Sequence, residues 1–378
     1  MRGSRVNRTM DVMDKVTTVT EGCVHCNVCV KECAFLQKYG TPGKVCRQFT
    51  AAPPSSSVFE CNLCGLCGSV CPKDLDVAGA FLEIRHAIQQ RGRHTPATAP
   101  VDRRHGRICN YERYGSSPLL SLHQFPEGGR TIFFPGCTLA ATRSAVVLKT
   151  YQYLRTIDPN CGIVLDCCRK PSRDLGLTGS FQQSFARLAE KLKKGGVRTI
   201  ITACPSCYVT FRQYLPECAT RTVYEELAKN PPPLTGKFAE AVAIHDPCAT
   251  RGLPWIHEAV RALVALTGAR PLEMSHNRHT TLCCGEGAAA AFIAPELTGT
   301  WKRIRHDEAG GSRIITYCAG CSSTLGTSLR TTHLLDLLFD HDRALTGDEQ
   351  KTRPPFTYLN RLHLKWRMKR SVAPKVRY

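Results

Sequence analysis

The sequence predicts an α+β multidomain fold in which a mostly helical head precedes two repeated α/β domains with parallel sheets. At 378 residues the chain is too long for one ordinary core, and its 42% hydrophobic and 22% charged residues are typical of globular proteins. Two dense cysteine runs lie in the head. Two similar halves follow, each alternating β-rich runs with amphipathic helical segments. The predicted order is a head (1–110), a connector (111–130), two α/β domains (131–236 and 237–345) and a basic tail (346–378).

Cysteine content and charge restrict the class of protein. No run approaches the ~20 apolar residues of a membrane helix, and the N-terminus lacks the apolar core of a signal peptide. We therefore expect a cytoplasmic protein, in which 22 cysteines are metal ligands or redox groups instead of disulfides. The net charge is +20, and residues 351–378 hold nine Lys/Arg without an Asp or Glu. Such a field favours nucleic acid, anionic lipid or an acidic protein partner.

The head carries two cysteine runs with the spacing C-x2-C-x2-C-x3-C. This spacing wraps three thiolates around a cubane [4Fe–4S] cluster, and the fourth cysteine of each run reaches the other cluster. Zinc is disfavoured because it prefers two pairs of ligands separated by a longer loop. Ala34 follows the first run where Pro72 follows the second. The expected ligands are Cys23, Cys26, Cys29 and Cys71 for one cluster, and Cys61, Cys64, Cys67 and Cys33 for the other.

Each α/β half contributes five cysteines in one order, which is a single residue, an adjacent pair and then C-x-x-C. Strands that alternate with helices predict a parallel sheet, and ligands of such sheets bind beyond the carboxyl ends of the strands. Five thiolates per half exceed the four of an ordinary cubane, which indicates unusual ligation or thiol chemistry. The first set is Cys137, Cys167, Cys168, Cys204 and Cys207, and the second is Cys248, Cys283, Cys284, Cys318 and Cys321.

The pattern of the halves resembles the cysteine-rich "CCG" domain in the B subunit of heterodisulfide reductase. The head looks like the C subunit of that enzyme, fused to the CCG domains as in its D form. The same layout occurs in iron–sulfur subunits of anaerobic glycerol-3-phosphate dehydrogenase and glycolate oxidase. The resemblance covers residues 20–335, with eighteen cysteines in register. It implies that each five-cysteine set holds a noncubane [4Fe–4S] cluster, which in the reductase binds the disulfide sulfurs and cleaves the bond in two one-electron steps. Four clusters are then expected, two cubane and two noncubane.

Two residues near these sets qualify the resemblance. The second half reads Cys283-Cys284-Gly285, whereas the first has Arg169 after its pair. An Arg there would crowd the cluster or raise its reduction potential. His245 is the candidate for delivering a proton to a departing thiolate, and its alternative is a structural histidine bonded to backbone. Four cysteines remain, which are Cys46, Cys109, Cys161 and Cys218. We expect Cys46 and Cys161 to be structural, and a position beside the cluster is the alternative for Cys161.

The basic tail contains a segment able to form a short amphipathic helix with Leu359, Leu362 and Trp366 on one face. Basic residues beside an aromatic anchor suit an anionic membrane surface or an acidic partner, and a solvated, partly ordered tail is the alternative. Nucleic acid is disfavoured because no nucleic-acid-binding module accompanies the charge. A position at the inner face of the membrane is thus an alternative to a purely cytoplasmic one.

Two functions share these ligands. The first is an oxidoreductase in which electrons enter at the head and reduce a disulfide or related small substrate between the halves, with Cys248, Cys283, Cys284, Cys318, Cys321 and His245 as its catalytic residues. The second is an electron relay between a flavoprotein dehydrogenase and a quinone or membrane cytochrome. No G-x-G-x-x-G fingerprint is evident, so a flavoprotein or other redox protein is expected as partner.

Overall fold

The computed structural model describes residues 13–51, 56–90, 112, 116–125, 128–234, 236–346, 352 and 354–372. All regular secondary structure in the described part of the head is helical. Its helices are α1 (Asp14–Gly22), α2 (Val28–Lys31), α3 (Ala34–Tyr39), α4 (Pro42–Ala51), α5 (Leu66–Ser69) and α6 (Val77–Gln90). A 3-10 turn over Ser56–Glu60 precedes the second cysteine run.

The first half is an α/β layer whose three central strands are short runs of β-branched and apolar residues, buried on both faces as in parallel sheets, while the two edge strands are partly exposed. Its strands are β1 (Leu122–Gln124), β2 (Thr131–Phe134), β3 (Gly162–Leu165), β4 (Thr199–Thr202) and β5 (Ala219–Thr222). Its helices are α7 (Cys137–Thr142), α8 (Ser144–Ile157), α9 (Lys170–Asp174), α10 (Thr178–Lys194), α11 (Pro205–Tyr214) and α12 (Val223–Lys229).

The second half repeats this arrangement. Its strands are β6 (Ala241–His245), β7 (Arg270–Glu273), β8 (Arg313–Thr316) and β9 (Thr331–His333). Its helices are α13 (Pro254–Leu266), α14 (Ala290–Ile293), α15 (Pro295–Ala309), α16 (Ala319–Leu325), α17 (Leu334–Phe339) and α18 (His341–Thr346), and α19 (Phe356–Val372) closes the described chain.

The strand orders show that the halves are structural repeats. The first sheet runs β1-β3-β2-β4-β5 and the second β7-β6-β8-β9, so β3-β2-β4-β5 corresponds to β7-β6-β8-β9. The registers agree as well, because Phe134 pairs with Thr202 and His245 pairs with Thr316, two residues before Cys204 and Cys318 respectively. The second sheet is parallel as predicted. The first departs at one edge, where β1 from the predicted connector pairs antiparallel with β3.

The head docks mainly on the second half. Trp301 of α15, which is 1% exposed, and Leu282 and Leu297 belong to the same apolar core as the head helices. Arg85 of α6 is fully buried and joins all three parts of the chain. Its guanidinium donates to the carbonyls of Asp174 in the first half and Ala288 in the second, and to carbonyls of the head itself. The head therefore holds a fixed position relative to both cysteine-rich halves.

The tail differs from the solvated alternative. Residues Phe356–Val372 form α19, which packs on α7 and α8 of the first half through buried Leu364 and Met368. Leu359, Leu362 and Trp366 are 54%, 40% and 46% exposed, on the outer side of the helix. Among the residues described, no helix has both the length and the apolar character to cross a membrane.

Candidate metal centres

The first head group brings together the cysteines expected for one cubane. Cys23, Cys26, Cys29 and Cys71 line a common cavity. Burial, followed by the negative charge of the other three thiols, raises the pKa of Cys29 to about 11. Cys26 is exposed, so this group lies at the surface of the head. Four thiols around one cavity suit a cation, since a metal neutralises the repulsion between the thiolates that bind it.

The second head group lies deeper. Cys33, Cys61, Cys64 and Cys67 line a second cavity. Burial, with the nearby thiols of Cys64 and Cys61, raises the pKa of Cys33 well above its usual value. The fold places Cys33 with the second run and Cys71 with the first, which is the grouping that the exchange of the fourth ligand requires. Cys67 lines both cavities, which makes the two groups neighbours.

The five cysteines of the first half gather beyond the ends of β2, β3 and β4. The sulfurs of Cys137 and Cys167 are 4.0 Å apart. Cys168 lies at the centre of the group, where hydrogen bonds from Cys167 and Cys207 lower its pKa to about 6. Cys204 lies beside Cys207. A thiol with a depressed pKa among other thiols suits metal binding, because the thiolate is the form that binds a metal.

The second half repeats this constellation. Cys248 contacts Cys283, and hydrogen bonds from Cys283 and Cys321 lower the pKa of Cys284 to about 6. Cys318 completes the group beside Cys321. The central thiols Cys168 and Cys284 therefore occupy equivalent positions in the two repeats.

The two five-cysteine groups meet at their C-x-x-C loops. Cys204 of the first half contacts Cys318 of the second, and hydrogen bonds from Cys204 and Cys321 lower the pKa of Cys318 to about 5. The hydroxyl of Tyr224 lies 3.0 Å from the carbonyl oxygen of Ala203 and 2.7 Å from that of Tyr317. One buried tyrosine thereby ties together the residues that precede the two facing cysteines.

The head and the halves form one series of cysteine groups. Cys64 of the second head group is the electrostatic neighbour of Cys248 and Cys283. The order in space is therefore the first head group, the second head group, the second-half group and the first-half group. Neighbouring groups share contacts at every step, which is the arrangement that short-range electron transfer requires.

Arg169 does not disrupt the first half. Its backbone is left-handed with φ of 66°, as Gly285 is with φ of 95°, and each backbone N–H donates to the sulfur two residues earlier. A side chain at Gly285 would meet Thr298 at 2.8 Å, whereas Arg169 is partly exposed. Glycine is thus required in the second half for space, while the first half admits Arg at the ordinary strain of a left-handed residue.

His245 is at the end of β6 and fully buried. Neither ring nitrogen has a hydrogen-bond partner in the described part of the chain, so the expected alternative of a backbone bond is absent there. Burial, with the nearby Arg305, lowers the pKa of His245 to about 3. The imidazole is therefore neutral near pH 7, and its role as a proton donor stays a prediction.

Asp246, beside His245, organises the loops around the second group. Its carboxylate accepts two hydrogen bonds from Arg261, at 2.9 and 3.1 Å, and one from the Tyr317 hydroxyl at 2.9 Å. Its carbonyl accepts from the Thr281 hydroxyl, just before Cys283. Sequence reasoning missed this buried network, although the Asp-Pro-Cys triplet pointed to an ordered turn.

Sequence reasoning also missed two charged residues at the facing groups. Glu286 and Lys170 each stand two residues after a cysteine pair, which was the available signal. Burial and the nearby Cys204 and Cys137 thiols raise the pKa of Glu286 to about 7. Lys170 forms an ion pair with Asp174, and its charge acts on Cys248. Each side chain thus crosses to the cysteines of the other half.

The remaining cysteines have structural surroundings. Cys46 is buried in the head core, and Cys161 directly precedes β3, at the end opposite the Cys167 pair. Cys218 donates to the carbonyl of Val197. Cys109 lies outside the described residues.

Comparison with known proteins agrees with this geometry. Residues 22–76 match the 4Fe-4S dicluster domain, and residues 131–212 and 242–326 each match the cysteine-rich domain. The B subunit of the fumarate reductase (CoM/CoB) of Methanothermobacter marburgensis is 26% identical over an alignment of 372 positions. The alignment covers 89% of this chain and 73% of that protein.

Two further relatives extend this similarity. The D subunit of the dihydromethanophenazine:CoB–CoM heterodisulfide reductase of Methanosarcina mazei is 20% identical over 79% of this chain and 86% of its own length. An iron–sulfur protein of Methanococcus maripaludis is 23% identical over 82% of this chain and 67% of its own length. The matched domains and the gathered thiols together indicate [4Fe–4S] clusters as the cofactors.

Proposed function

We propose that this chain, an iron–sulfur oxidoreductase similar to the B subunit of a fumarate reductase (CoM/CoB) and to the D subunit of a heterodisulfide reductase, reduces a disulfide between its two halves. The observation that supports this most is the contact of the two five-cysteine groups through Cys204 and Cys318. Two redox groups that face each other suit a two-electron substrate, which accepts one electron from each side. The reaction balances as R–S–S–R′ plus two electrons and two protons giving RSH and R′SH.

We further propose four clusters, of which two are cubane in the head and two are noncubane in the halves. The clusters would supply one-electron redox chemistry. The chain's eighteen motif cysteines would hold them, in the four groups described above.

Proton supply is the part of the reaction that side chains perform. A departing thiolate needs a proton, and Glu286 is placed for this because its carboxyl, with a pKa of about 7, lies near Cys204 and Cys137. We propose Glu286 for this role in preference to His245, since a histidine with a pKa of about 3 carries no extra proton at neutral pH.

Electron entry is proposed at the first head group. Cys26 is exposed, and Val24 and Val28 beside it are 57% and 40% exposed. Exposed Lys44 and Arg47 stand nearby. An apolar contact surrounded by positive charge suits an acidic redox protein, and a flavoprotein that splits two-electron donors is the proposed partner.

The relay alternative has one observation in its favour. The exposed face of α19 combines Leu359, Leu362 and Trp366 with basic residues, and the helix packs on α7, which begins at Cys137. Another redox protein, or a quinone-linked partner at the membrane, would receive electrons there.

The experiment compares cluster content with turnover in anaerobically purified protein. Four clusters require roughly sixteen iron atoms per chain. A count near eight would indicate that the two halves hold no clusters. With reduced methyl viologen as donor, we expect thiol release from the CoM–CoB heterodisulfide or from simpler mixed disulfides. Cys318→Ala should abolish it and Cys218→Ala should retain it. Reducible clusters without turnover of any disulfide would contradict the proposal and favour the relay.

A further inference from the structure

The strand ends that precede the single cysteines of the two repeats carry different residues. Counting back three positions from Cys137 and Cys248 gives Phe134 and His245, and the sheet registers place both opposite a threonine two residues before the C-x-x-C motif. The two side chains are therefore structural equivalents. Phe134 fills its site with an edge-on contact to Phe211, whose ring centre is 5.0 Å away.

His245 has no such apolar role. Its side chain is fully buried, yet neither ring nitrogen meets a hydrogen-bond partner among the described residues. A buried polar group without a partner is costly, and native structures keep one when an ion or another unseen group satisfies it.

The surroundings of His245 identify that group. One ring nitrogen and the sulfurs of Cys284 and Cys321 all lie within 4.8 Å of one another, a spacing compatible with metal ligation. Cys284 is the central thiol of the second group. Neutral imidazole is a common ligand of iron as well as of zinc.

We propose that His245 is a nitrogen ligand of the iron–sulfur cluster in the second half, at an iron site that it shares with Cys284 and Cys321. The first-half cluster, with Phe134 at the equivalent position, has thiolate ligands alone. The assignment rests on the proposed function in that it requires a cluster in the second half. The assignment adds that the two half-domain clusters differ in their ligands.

Unequal ligation has a consequence for electron flow. An imidazole in the ligand set leaves the cluster less negative than thiolates alone, and histidine ligation raises the potential of iron–sulfur centres. The second-half cluster receives electrons from the head through the contact of Cys64 with Cys248. The histidine would make it the favoured acceptor from the head.

The test is spectroscopic and uses the full chain purified anaerobically. Protein labelled with 15N-histidine is reduced and measured by electron–nuclear double resonance, which separates a directly bound nitrogen from weakly coupled ones. We expect one strongly coupled histidine nitrogen in the wild type. It should vanish in His245→Phe, which copies the first half, and persist in His257→Phe, which removes another buried histidine of the same half.

The mirror variant Phe134→His should add a second strongly coupled nitrogen if the repeats are equivalent. His245→Phe should also lower the midpoint potential of one cluster in a redox titration. Absence of strong coupling in a wild-type protein that contains its full iron and the second-half signal overturns the ligand assignment while leaving the proposed function intact. Absence of the second-half signal itself would instead contradict the proposed function.

Discussion

Replacing Arg85 by Met should detach the head from the two halves. The side chain is fully buried and all five N–H groups donate to backbone carbonyls, those of Val58, Cys61, Asp174 and Ala288. Met keeps an unbranched apolar stem and a similar helix propensity but has no donor, so the variant removes these bonds while the stem stays packed.

The magnitude follows from two opposing effects. Five hydrogen bonds from a charged donor, at about 1.5 kcal/mol each, contribute about 7 kcal/mol. Burial lowers the pKa of Arg85 to about 10 from 12.5. At about 1.4 kcal/mol per unit, that shift corresponds to a cost of about 3 kcal/mol for keeping the cation buried. The difference is a loss of about 4 kcal/mol in the free energy of unfolding. The bonds to Asp174 and Ala288 are the part of it that holds the head on the halves.

Urea denaturation of the holoprotein under anaerobic conditions measures this loss through the transition that exposes the head. Arg187→Met is the matched control, because Arg187 is an exposed residue in the middle of α10. We expect a large shift of the midpoint for Arg85→Met and none for the control. A change below about 1 kcal/mol would refute the reasoning, since it would show that water satisfies the four carbonyls.

Three further outcomes are expected. Cys33→Ser should remove the second head cluster and leave the first, which EPR and iron counting would detect; loss of the first alone would contradict the exchange of ligands between runs. Tyr224→Phe should weaken the magnetic coupling between the two half-domain clusters and cost about 1 kcal/mol of stability. Tyr151→Phe, which loses one buried hydroxyl bond elsewhere, should leave the coupling unchanged. Because the pKa of Glu286 is raised to about 7, its proton is present below that pH and lost above it, so disulfide reduction should fall as pH rises through neutrality. The Glu286→Gln variant should reduce disulfides slowly, at a rate that does not fall as pH rises through neutrality. If this variant keeps the pH dependence of the wild type, another group supplies the proton.

The cysteine spacing determined the local part of the site. C-x2-C-x2-C-x3-C is a loop-scale pattern, and so is each cysteine pair or C-x-x-C motif at the end of a strand. The sequence also predicted the repeat, because both halves carry their motifs in one order. The sequence gives weaker signals for contacts between distant segments. Glu286 and Lys170 are examples, because the cysteines near each of them lie in the opposite half.

Tertiary structure decided the order of the groups and the surroundings of each. The contact of Cys204 with Cys318 joins residues more than a hundred positions apart, and no local pattern encodes it. The roles of Arg85 and Tyr224 depend on carbonyls that folding brings within reach of one side chain. His245 and Phe134 differ visibly in the sequence, but only the shared sheet register identifies them as equivalents. Spacing along the chain thus determined which cofactors the protein can hold, and packing between the repeats determined how those cofactors face one another.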